Sequence, residues 1–222
     1  MIPIKVTQPS YSTPVVTICL IVVNILVFLN EFWLGLVDPY SLNHFMTVYS
    51  LRPAYFHWQN VITAMFVHAN WMHVLGNMLF LWVFGDNVED ILGHAKYLVF
   101  YLLCGIAAAL AQVLLDPSSR IPMVGASGAI AGVMGAYLVK FPRSQVVMLT
   151  WLIVIFTFDL PAWAMLIYWF LMQVFGGFGQ ITEASQGGTA FAAHVGGFIV
   201  GIILIHVMGT RQRYWRRRDL TW

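Results

Sequence analysis

The chain contains six apolar stretches that are long enough, or nearly so, to cross a lipid bilayer. They cover residues of about 14–34, 61–84, 96–115, 124–139, 161–176 and 189–208. A transmembrane helix needs roughly 20 consecutive apolar residues. We therefore expect an all-α membrane protein, in which a bundle of six transmembrane helices forms a single membrane domain over residues 1–222, without a separate soluble domain.

The composition supports a membrane protein. Apolar residues make up 60% of the chain and charged residues only 9%, whereas a soluble domain carries about 25% charged residues. So little charge argues against a soluble enzyme and against a disordered chain. Cys19 and Cys104 lie in apolar stretches and are too few for a disulfide framework or a zinc knuckle. The first stretch lacks an arginine-rich leader and a small-residue cleavage site, so we expect a retained span rather than a signal peptide.

A seventh apolar stretch, 146–160, is shorter than a transmembrane helix requires. It contains Asp159 and runs directly into Pro161. We expect it to approach the fifth span as an interfacial or a re-entrant segment, and the sequence leaves both forms open.

The positions of Lys and Arg predict the orientation in the membrane. With six spans, nine basic residues lie on the side of the two termini: Lys5, Lys96, Lys140, Arg143, Arg211, Arg213, Arg216, Arg217 and Arg218. The opposite side has only Arg52 and Arg120. Because cytoplasmic loops are enriched in Lys and Arg, we expect both termini in the cytoplasm. A seven-span topology would separate Lys5 from the terminal arginines, and the basic tail is typical of a topology anchor rather than of a nucleic-acid site.

Three polar side chains occur at a similar depth in the even-numbered spans. His73, Ser127 and His194 each lie within the first helical turns of their span, counted at 1.5 Å per residue from the non-cytoplasmic face. A polar group inside a bilayer costs several kcal/mol unless it is used or satisfied. We therefore expect these three side chains to meet in one site.

Helical spacing predicts which residues of the second span share a face. At about 100° per residue, His73 and Asn77 are about 40° apart, whereas His68 is about 140° from His73 if the helix already runs through it. His68 and His73 also lack the i, i+4 spacing and the intervening Glu of zinc proteases, so we expect no metal.

Small residues line one stripe of the fourth span and one stripe of the last. The stripes are Ser127, Ala131 and Gly135 in the fourth span, and His194, Gly197 and Gly201 in the last. Small residues at four-residue spacing let two helix backbones approach closely. Packing of the two stripes would bring the Ser127 hydroxyl within reach of the His194 ring.

A serine close to a histidine suggests nucleophilic catalysis. A hydroxyl becomes an effective nucleophile when an imidazole takes its proton. The backbone N–H of Ser127, the His73 ring and the Asn77 amide are donors of the kind that stabilises an oxyanion. No acid lies near His194 on its own helix, so we expect a dyad rather than a triad, with the ring of His194 oriented by packing or by water.

Four motifs carry a resemblance to a known family. They are HANWMHVLGN at 68–77, NVEDILGH at 87–94, GASG at 125–128 and AHVGGFIVG at 193–201. With these motifs, the chain from about residue 51 to residue 208 resembles the rhomboid intramembrane serine proteases of the prokaryotic six-span type. GASG alone would be a weak signal, but the four motifs together are highly specific.

The resemblance implies roles for individual residues. Ser127 would be the nucleophile and His194 the general base. His73 and Asn77 would stabilise the oxyanion together with the backbone N–H of Ser127. The residues implied to be structural are His68, Glu89 at the cytoplasmic end of the second span, Gly125, Gly128, Gly197 and Gly201.

The sequence departs from the family pattern at two places. The first loop reads Trp58-Gln59-Asn60 where many members have a Trp-Arg pair. Ala131 stands where some members stack a tyrosine on the catalytic histidine, so either another aromatic ring orients His194 or the imidazole of His194 is held more loosely.

The aromatic first loop, about 35–60, predicts an interfacial element. The polar loop 177–188 predicts a flexible cap, and the resemblance implies that the fifth span forms one side of a lateral gate.

These observations predict an intramembrane serine endopeptidase that hydrolyses peptide bonds in or next to transmembrane segments of other proteins. Its expected partners are transmembrane protein substrates and the lipid bilayer, without nucleic acid and without a cofactor. The expected location is a prokaryotic inner membrane, with the site opening to the non-cytoplasmic side. The oligomeric state stays open.

Two other functions have to be weighed against a protease. A catalytically silent rhomboid-like protein would bind or escort membrane clients, but such members typically lack the dyad. A small transporter or channel would predict charged residues at mid-membrane or an inverted repeat, and we find neither in the sequence.

Overall fold

The computed structural model describes residues 2–151, 155–182 and 191–209, and the side chains of 2–150, 155–176 and 191–209. Helices dominate these parts of the chain. The helices are α1 (Val15–Val37), α2 (Pro39–Tyr49), α3 (Trp58–Thr63), α4 (Trp71–Leu92), α5 (His94–Leu115), α6 (Ser127–Lys140), α7 (Ala162–Thr182) and α8 (Phe191–Val207). The strands are β1 (Ile2–Val6), β2 (Gln145–Trp151) and β3 (Ile155–Pro161), and one 3-10 turn covers Pro53–Tyr55.

Five of the six predicted spans each coincide with one helix, namely α1, α5, α6, α7 and α8. By length and composition, α1 and α5 are the two helices in the described ranges that are long and apolar enough to cross a bilayer. The helices α6 and α8 and the 162–176 part of α7 are apolar but shorter. The count of six transmembrane helices therefore stays a prediction.

The second predicted span, 61–84, is not one helix. α3 ends at Thr63 and α4 begins only at Trp71. Asn70 caps α4, because its side chain accepts a hydrogen bond from the backbone N–H of His73 at 2.9 Å. The last residue of α4 is Leu92, and Gly93 is its C-cap. Gly93 has a φ of 82°, which glycine adopts readily and other residues rarely do. Apolarity alone did not show the break, because residues on both sides of it are apolar.

The stretch 146–160 forms most of a β-hairpin that leads into α7, so the expectation of an all-α fold was wrong at this point. Its placement as an interfacial or a re-entrant segment stays a prediction. β2 pairs antiparallel with β3, with Val146 opposite Leu160, and β1 pairs antiparallel with the other edge of β2. Residues 152–154, between the two strands, lie outside the described ranges.

Burial along β2 explains why this segment is a strand. Val146, Met148 and Thr150 are buried, whereas Val147 and Leu149 between them are partly exposed. This period of two is the pattern of a strand with one face packed on the protein. The sheet thus covers one end of the helical core at the connection between α6 and α7.

α6 is the central helix. Its residues from Gly128 to Tyr137 are all buried, and it packs against α4, α5, α7 and, most extensively, α8. A helix that is surrounded in this way holds its first residue, Ser127, in a fixed position relative to its neighbours.

Glycines set the close approach of α6 and α8. A Cβ atom on Gly197 would fall on the carbonyl oxygen of Gly128, and one on Gly201 would fall on the carbonyl oxygen of Gly132. On the other side of the contact, a Cβ on Gly135 would meet the backbone of α8. The predicted packing of two small-residue stripes is therefore present. On α6, however, the glycine contacts run through 128 and 132, one position after the predicted 127 and 131.

Glu89 joins the end of α4 to the start of α1. Its carboxylate accepts hydrogen bonds from the backbone N–H groups of Val16 and Thr17, both at 2.8 Å, and one from Nδ1 of His94 at 2.6 Å. A carboxylate at a helix N-terminus satisfies N–H groups that have no partner within the helix and interacts favourably with the helix dipole. Glu89 lies about 24 Å along α4 from His73, at 1.5 Å per residue, so it is not part of the predicted site.

Some predictions fall on residues that the structure does not describe. These are residues 183–188 of the predicted cap, the first two residues of the sixth predicted span and the basic residues 211–218.

Candidate active site

A cavity of about 730 Å³ lies beside the first turn of α6. Its lining includes His73 and Asn77 from α4, Ser127, Trp169 from α7 and His194 from α8. The cavity is therefore lined by side chains from four helices. It contains His73, Ser127 and His194, which the sequence predicts to meet in one site, together with Asn77.

Ser127 and His194 are in direct contact. The Oγ atom of Ser127 lies 2.7 Å from Nε2 of His194, which is hydrogen-bond distance. His194 is only 8% exposed, whereas Ser127, the first residue of α6, is partly exposed to the cavity. The close approach of α6 and α8 brings the two residues together. Gly128 follows Ser127 directly, Gly197 lies one turn after His194, and the two glycines are in contact.

The other nitrogen of the His194 ring contacts α7. Nδ1 of His194 lies 2.7 Å from Oε1 of Gln173. The amide nitrogen of Gln173 lies 3.4 Å from the backbone oxygen of Trp169, one turn earlier on the same helix. Both ring nitrogens of His194 are therefore occupied by protein groups.

An aromatic ring from α7 also packs beside His194. The ring centres of Trp169 and His194 are 5.7 Å apart, and the planes are tilted by 42°. Because residue 131 is an alanine, the sequence predicted that an aromatic ring from elsewhere orients His194 or that His194 is held more loosely. Trp169 is the ring that lies beside it.

The backbone just before Ser127 lies against His73. Gly125 has a φ of 111°, a conformation that residues with a side chain rarely adopt. A Cβ atom at this position would lie 2.6 Å from Nε2 of His73. The N–H of Gly125 donates to the backbone oxygen of Ala64 at 2.8 Å. The glycine thus allows the turn into α6 to pass directly over the His73 ring.

Asn77 and His68 form a hydrogen bond. Nδ2 of Asn77 donates to Nε2 of His68 at 2.9 Å, and Nδ1 of His68 donates to the backbone oxygen of Phe66 at 3.2 Å. His68 precedes α4, so the 140° separation predicted for a continuous helix does not apply. Its ring packs edge-on to that of His73, with ring centres 5.2 Å apart.

Glu31 holds the segment that carries His68. The Glu31 side chain on α1 is 3% exposed, and one of its carboxylate oxygens accepts a hydrogen bond from the backbone N–H of His68 at 3.1 Å. The chain of contacts therefore runs from α1 through His68 to Asn77 at the cavity.

The family assignment rests on a comparison with known proteins. The family model described as the rhomboid domain matches residues 55–211. The chain belongs to the rhomboid family. Rhomboids are integral membrane proteins, most of them proteases, and the family includes inactive members. The resemblance seen in the sequence motifs is thereby confirmed at the level of the family, and the six-span prokaryotic type stays a prediction.

Individual relatives agree with the family assignment. The chain is 28% identical to "Rhomboid-like protein 11, chloroplastic" of Arabidopsis thaliana, over 80% of this chain and 64% of the relative. It is 29% identical to "Rhomboid protein 1, mitochondrial" of Saccharomyces cerevisiae, over 65% of this chain and 40% of the relative. It is 36% identical to "Putative rhomboid protease YdcA" of Bacillus subtilis, over 42% of this chain and 46% of the relative. The chain thus spans less than two thirds of the length of each of these relatives.

The sequence did not point to two polar residues that contact site residues, namely Gln173 beside His194 and Glu31 beside His68. Gln173 is the one amide side chain in the apolar stretch 161–176, and Glu31 is the one charged residue in the stretch 14–34. An isolated polar residue in an apolar span is costly unless it has a partner. This signal was present in the sequence for both residues, but only the structure shows which partners they have.

Proposed function

We propose that this rhomboid is an intramembrane serine endopeptidase that uses Ser127 and His194 as a catalytic dyad. The observation that carries the proposal is the 2.7 Å contact between Oγ of Ser127 and Nε2 of His194 beside an open cavity. A hydroxyl and an imidazole at this distance have the geometry of a nucleophile and its general base.

In the first half of the proposed reaction, Nε2 of His194 takes the hydroxyl proton of Ser127 while Oγ attacks the carbonyl carbon of the peptide bond. The resulting tetrahedral intermediate carries a negative oxygen. His194 then gives its proton to the leaving amine, the C–N bond breaks, and an acyl ester remains on Ser127. In the second half, a water molecule gives a proton to His194 and attacks the ester carbonyl. The bond between the acyl carbon and Oγ then breaks, which releases the acid, and His194 returns its proton to Oγ of Ser127.

Three groups at the cavity are proposed to stabilise the oxyanion. The backbone N–H of Ser127 belongs to the first turn of α6, where N–H groups favour negative charge. The His73 ring lies against Gly125, two residues before Ser127. The Asn77 amide uses one N–H for His68 and has a second one to donate. Donors fixed in this way act without reorganisation during the reaction.

The proposed substrates are transmembrane segments of other proteins. α1 supports a membrane setting, because large apolar side chains along it are exposed, including Leu26 at 60% and Trp33 at 63%. Such a surface suits contact with lipid rather than with water. A transmembrane helix has to unwind before a nucleophile can reach its carbonyl groups, so a substrate with helix-breaking residues is proposed. The resemblance to the family implies a small residue before the cut.

The proposed topology has six spans in a prokaryotic inner membrane, with both termini in the cytoplasm and the cavity near the non-cytoplasmic face. The charge asymmetry supports this orientation, since Lys5, Lys96 and Lys140 are on the side of the termini and Arg52 and Arg120 are on the other. The 730 Å³ cavity beside Ser127 has room for the water that hydrolysis requires.

The experiment that tests the proposal measures cleavage of a reporter transmembrane protein and labelling by a fluorophosphonate probe, both with the full chain in detergent. Ser127→Ala should abolish cleavage and labelling, and His194→Ala should abolish cleavage. Matched controls are Ser118→Ala, an exposed serine, and His206→Ala, an exposed histidine on α8, which should both cleave like the unaltered protein. Cleavage by the Ser127 variant would refute the dyad, and a folded unaltered protein that neither cleaves nor labels would indicate a silent rhomboid-like protein.

A further inference from the structure

The two nitrogens of the His194 ring contact groups with different hydrogen-bonding abilities. Nε2 faces the hydroxyl of Ser127, which can either donate or accept a hydrogen bond, at 2.7 Å. Nδ1 faces the carbonyl oxygen of Gln173, which can only accept, also at 2.7 Å. A neutral imidazole has one N–H and one lone pair, so these partners favour one of its two tautomers.

The favoured tautomer is the one that a general base needs. Because Oε1 of Gln173 accepts, the ring proton sits on Nδ1, and Nε2 turns its lone pair towards Ser127. Ser127 must then donate its hydroxyl proton to Nε2. The other tautomer would present an N–H to Oγ and could not take the proton.

The orientation of the Gln173 amide is supported by a second contact. Its nitrogen lies 3.4 Å from the backbone oxygen of Trp169, with donor and acceptor matched. If the amide were turned over, a carbonyl oxygen would face another carbonyl oxygen, and the amide NH₂ would face Nδ1 of His194. Trp169 also packs its ring beside His194, so one face of α7 supplies both the acceptor and the ring.

We propose that Gln173 is the positioning residue of the dyad, which keeps the ring proton of His194 on Nδ1 in the place where other serine hydrolases use a carboxylate. The inference rests on the proposed protease function, and it adds a role for α7 that neither the family motifs nor the spacing of Ser127 and His194 assigns.

Among the described residues around His194, Gln173 on α7 is the acceptor that contacts Nδ1 of the ring. Among the described residues that line the cavity, His73 on α4 is the one titratable side chain besides His194, and no Asp, Glu, Lys or Arg lines it. On α6 the ring faces Ser127, and on α7 it faces Gln173 and Trp169. A neutral amide fixes the tautomer without placing a second charge beside the ring.

Two variants separate the acceptor from the shape of the side chain. Gln173→Met keeps the length of the side chain and removes the acceptor, so kcat should fall about 10- to 100-fold with KM unchanged, less than the ~10⁴-fold loss for a carboxylate partner. Gln173→Glu keeps an acceptor, so it should restore kcat relative to the Met variant. A carboxylate would also favour the protonated ring, so the acid limb of the kcat/KM profile should move to higher pH in the Glu variant.

The matched control is Met172→Leu, a change at the exposed neighbour of Gln173 on α7. It should leave kcat, KM and the pH profile unchanged. Thermal unfolding of all variants in detergent shows whether a loss of kcat is a loss of fold.

A readout independent of activity is the ¹⁵N NMR spectrum of the protein with labelled histidine, with the His194 signals assigned from the His194→Ala spectrum. The unaltered protein should show the proton of His194 on Nδ1, and Gln173→Met should show both tautomers or the opposite one. An unaltered protein that cleaves its reporter, together with a Met variant of unchanged kcat, pH profile and tautomer, would overturn the role of Gln173 alone. An unaltered protein that shows the Nδ1–H tautomer but neither cleaves nor labels would overturn the protease proposal alone.

Discussion

Replacing Gly125 by alanine tests whether the turn before α6 positions the oxyanion donors. The new Cβ atom would lie 2.6 Å from Nε2 and 2.7 Å from Cε1 of His73. An ordinary contact is about 3.5 Å, so the ring would have to withdraw by about 0.9 Å. The φ of 111° at this position adds a backbone cost of about 1–3 kcal/mol for a residue with a side chain.

The expected result is a folded protein with a damaged site. The free energy of unfolding should fall by about 1–3 kcal/mol, and kcat should fall about 100-fold, the cost of a displacement of about 1 Å in a catalytic group. The measurements are thermal unfolding in detergent and cleavage of the reporter substrate. Gly76→Ala on α4 is the stability control, because a Cβ there has no atom within 4 Å and should stabilise the helix by up to about 1 kcal/mol. A Gly125→Ala protein with normal kcat would refute the placement of His73 against this turn.

Three further predictions concern other parts of the molecule. Asn77→Ala should lower kcat by about 10²- to 10³-fold at most, because the other oxyanion donors remain. If the loss in the reporter assay were as large as that of Ser127→Ala, a role limited to the oxyanion would be contradicted. Glu89→Leu should lower the free energy of unfolding by about 2–4 kcal/mol, since two backbone N–H groups of α1 lose a charged acceptor. Well below the melting temperature, the fluorophosphonate probe should still label Ser127, because Glu89 is far from the cavity. Met148→Lys should lower the melting temperature, whereas Val147→Lys on the other face of β2 should change it little; equal effects of the two changes would argue against the strand.

Most helices could be predicted from the sequence because apolar length is a property of each segment alone. α1, α5 and α8 lie close to the predicted stretches for this reason. The break before α4 depends on a local hydrogen bond from the His73 N–H to the Asn70 side chain, which a count of apolar residues does not detect.

The sheet could not be predicted from apolar length. A short apolar segment can be a strand or a buried helix, and periodicity does not separate them when both faces carry apolar residues. In β2 the buried side chains alternate with partly exposed ones that are also apolar, such as Val147 and Leu149. The pairing partner, β1, is more than 130 residues away in sequence, so the strand becomes evident only in the folded chain.

At the site, the pair of Ser127 and His194 could be predicted because both residues lie in stripes of small residues at helical spacing. Gln173 could not be assigned a partner, since its contact depends on how α7 is rotated against α8, and no stripe on α7 fixes that rotation. The hydrogen bond between His68 and Asn77 was missed for a related reason, because it requires the non-helical segment between α3 and α4.

The glycine contact between α6 and α8 has a consequence for movement. With backbone touching backbone at Gly197 and Gly201, these two helices form a rigid pair, and the hydroxyl and the ring they carry cannot be brought any nearer by compression. Any space beyond the existing cavity would therefore come from displacement of other helices that pack against α6 and α8. If α7 moves away from α8, the side chain of Gln173 moves with it. The hydrogen bond from Nδ1 of His194 to Gln173 would then break in the same movement that widens the cavity.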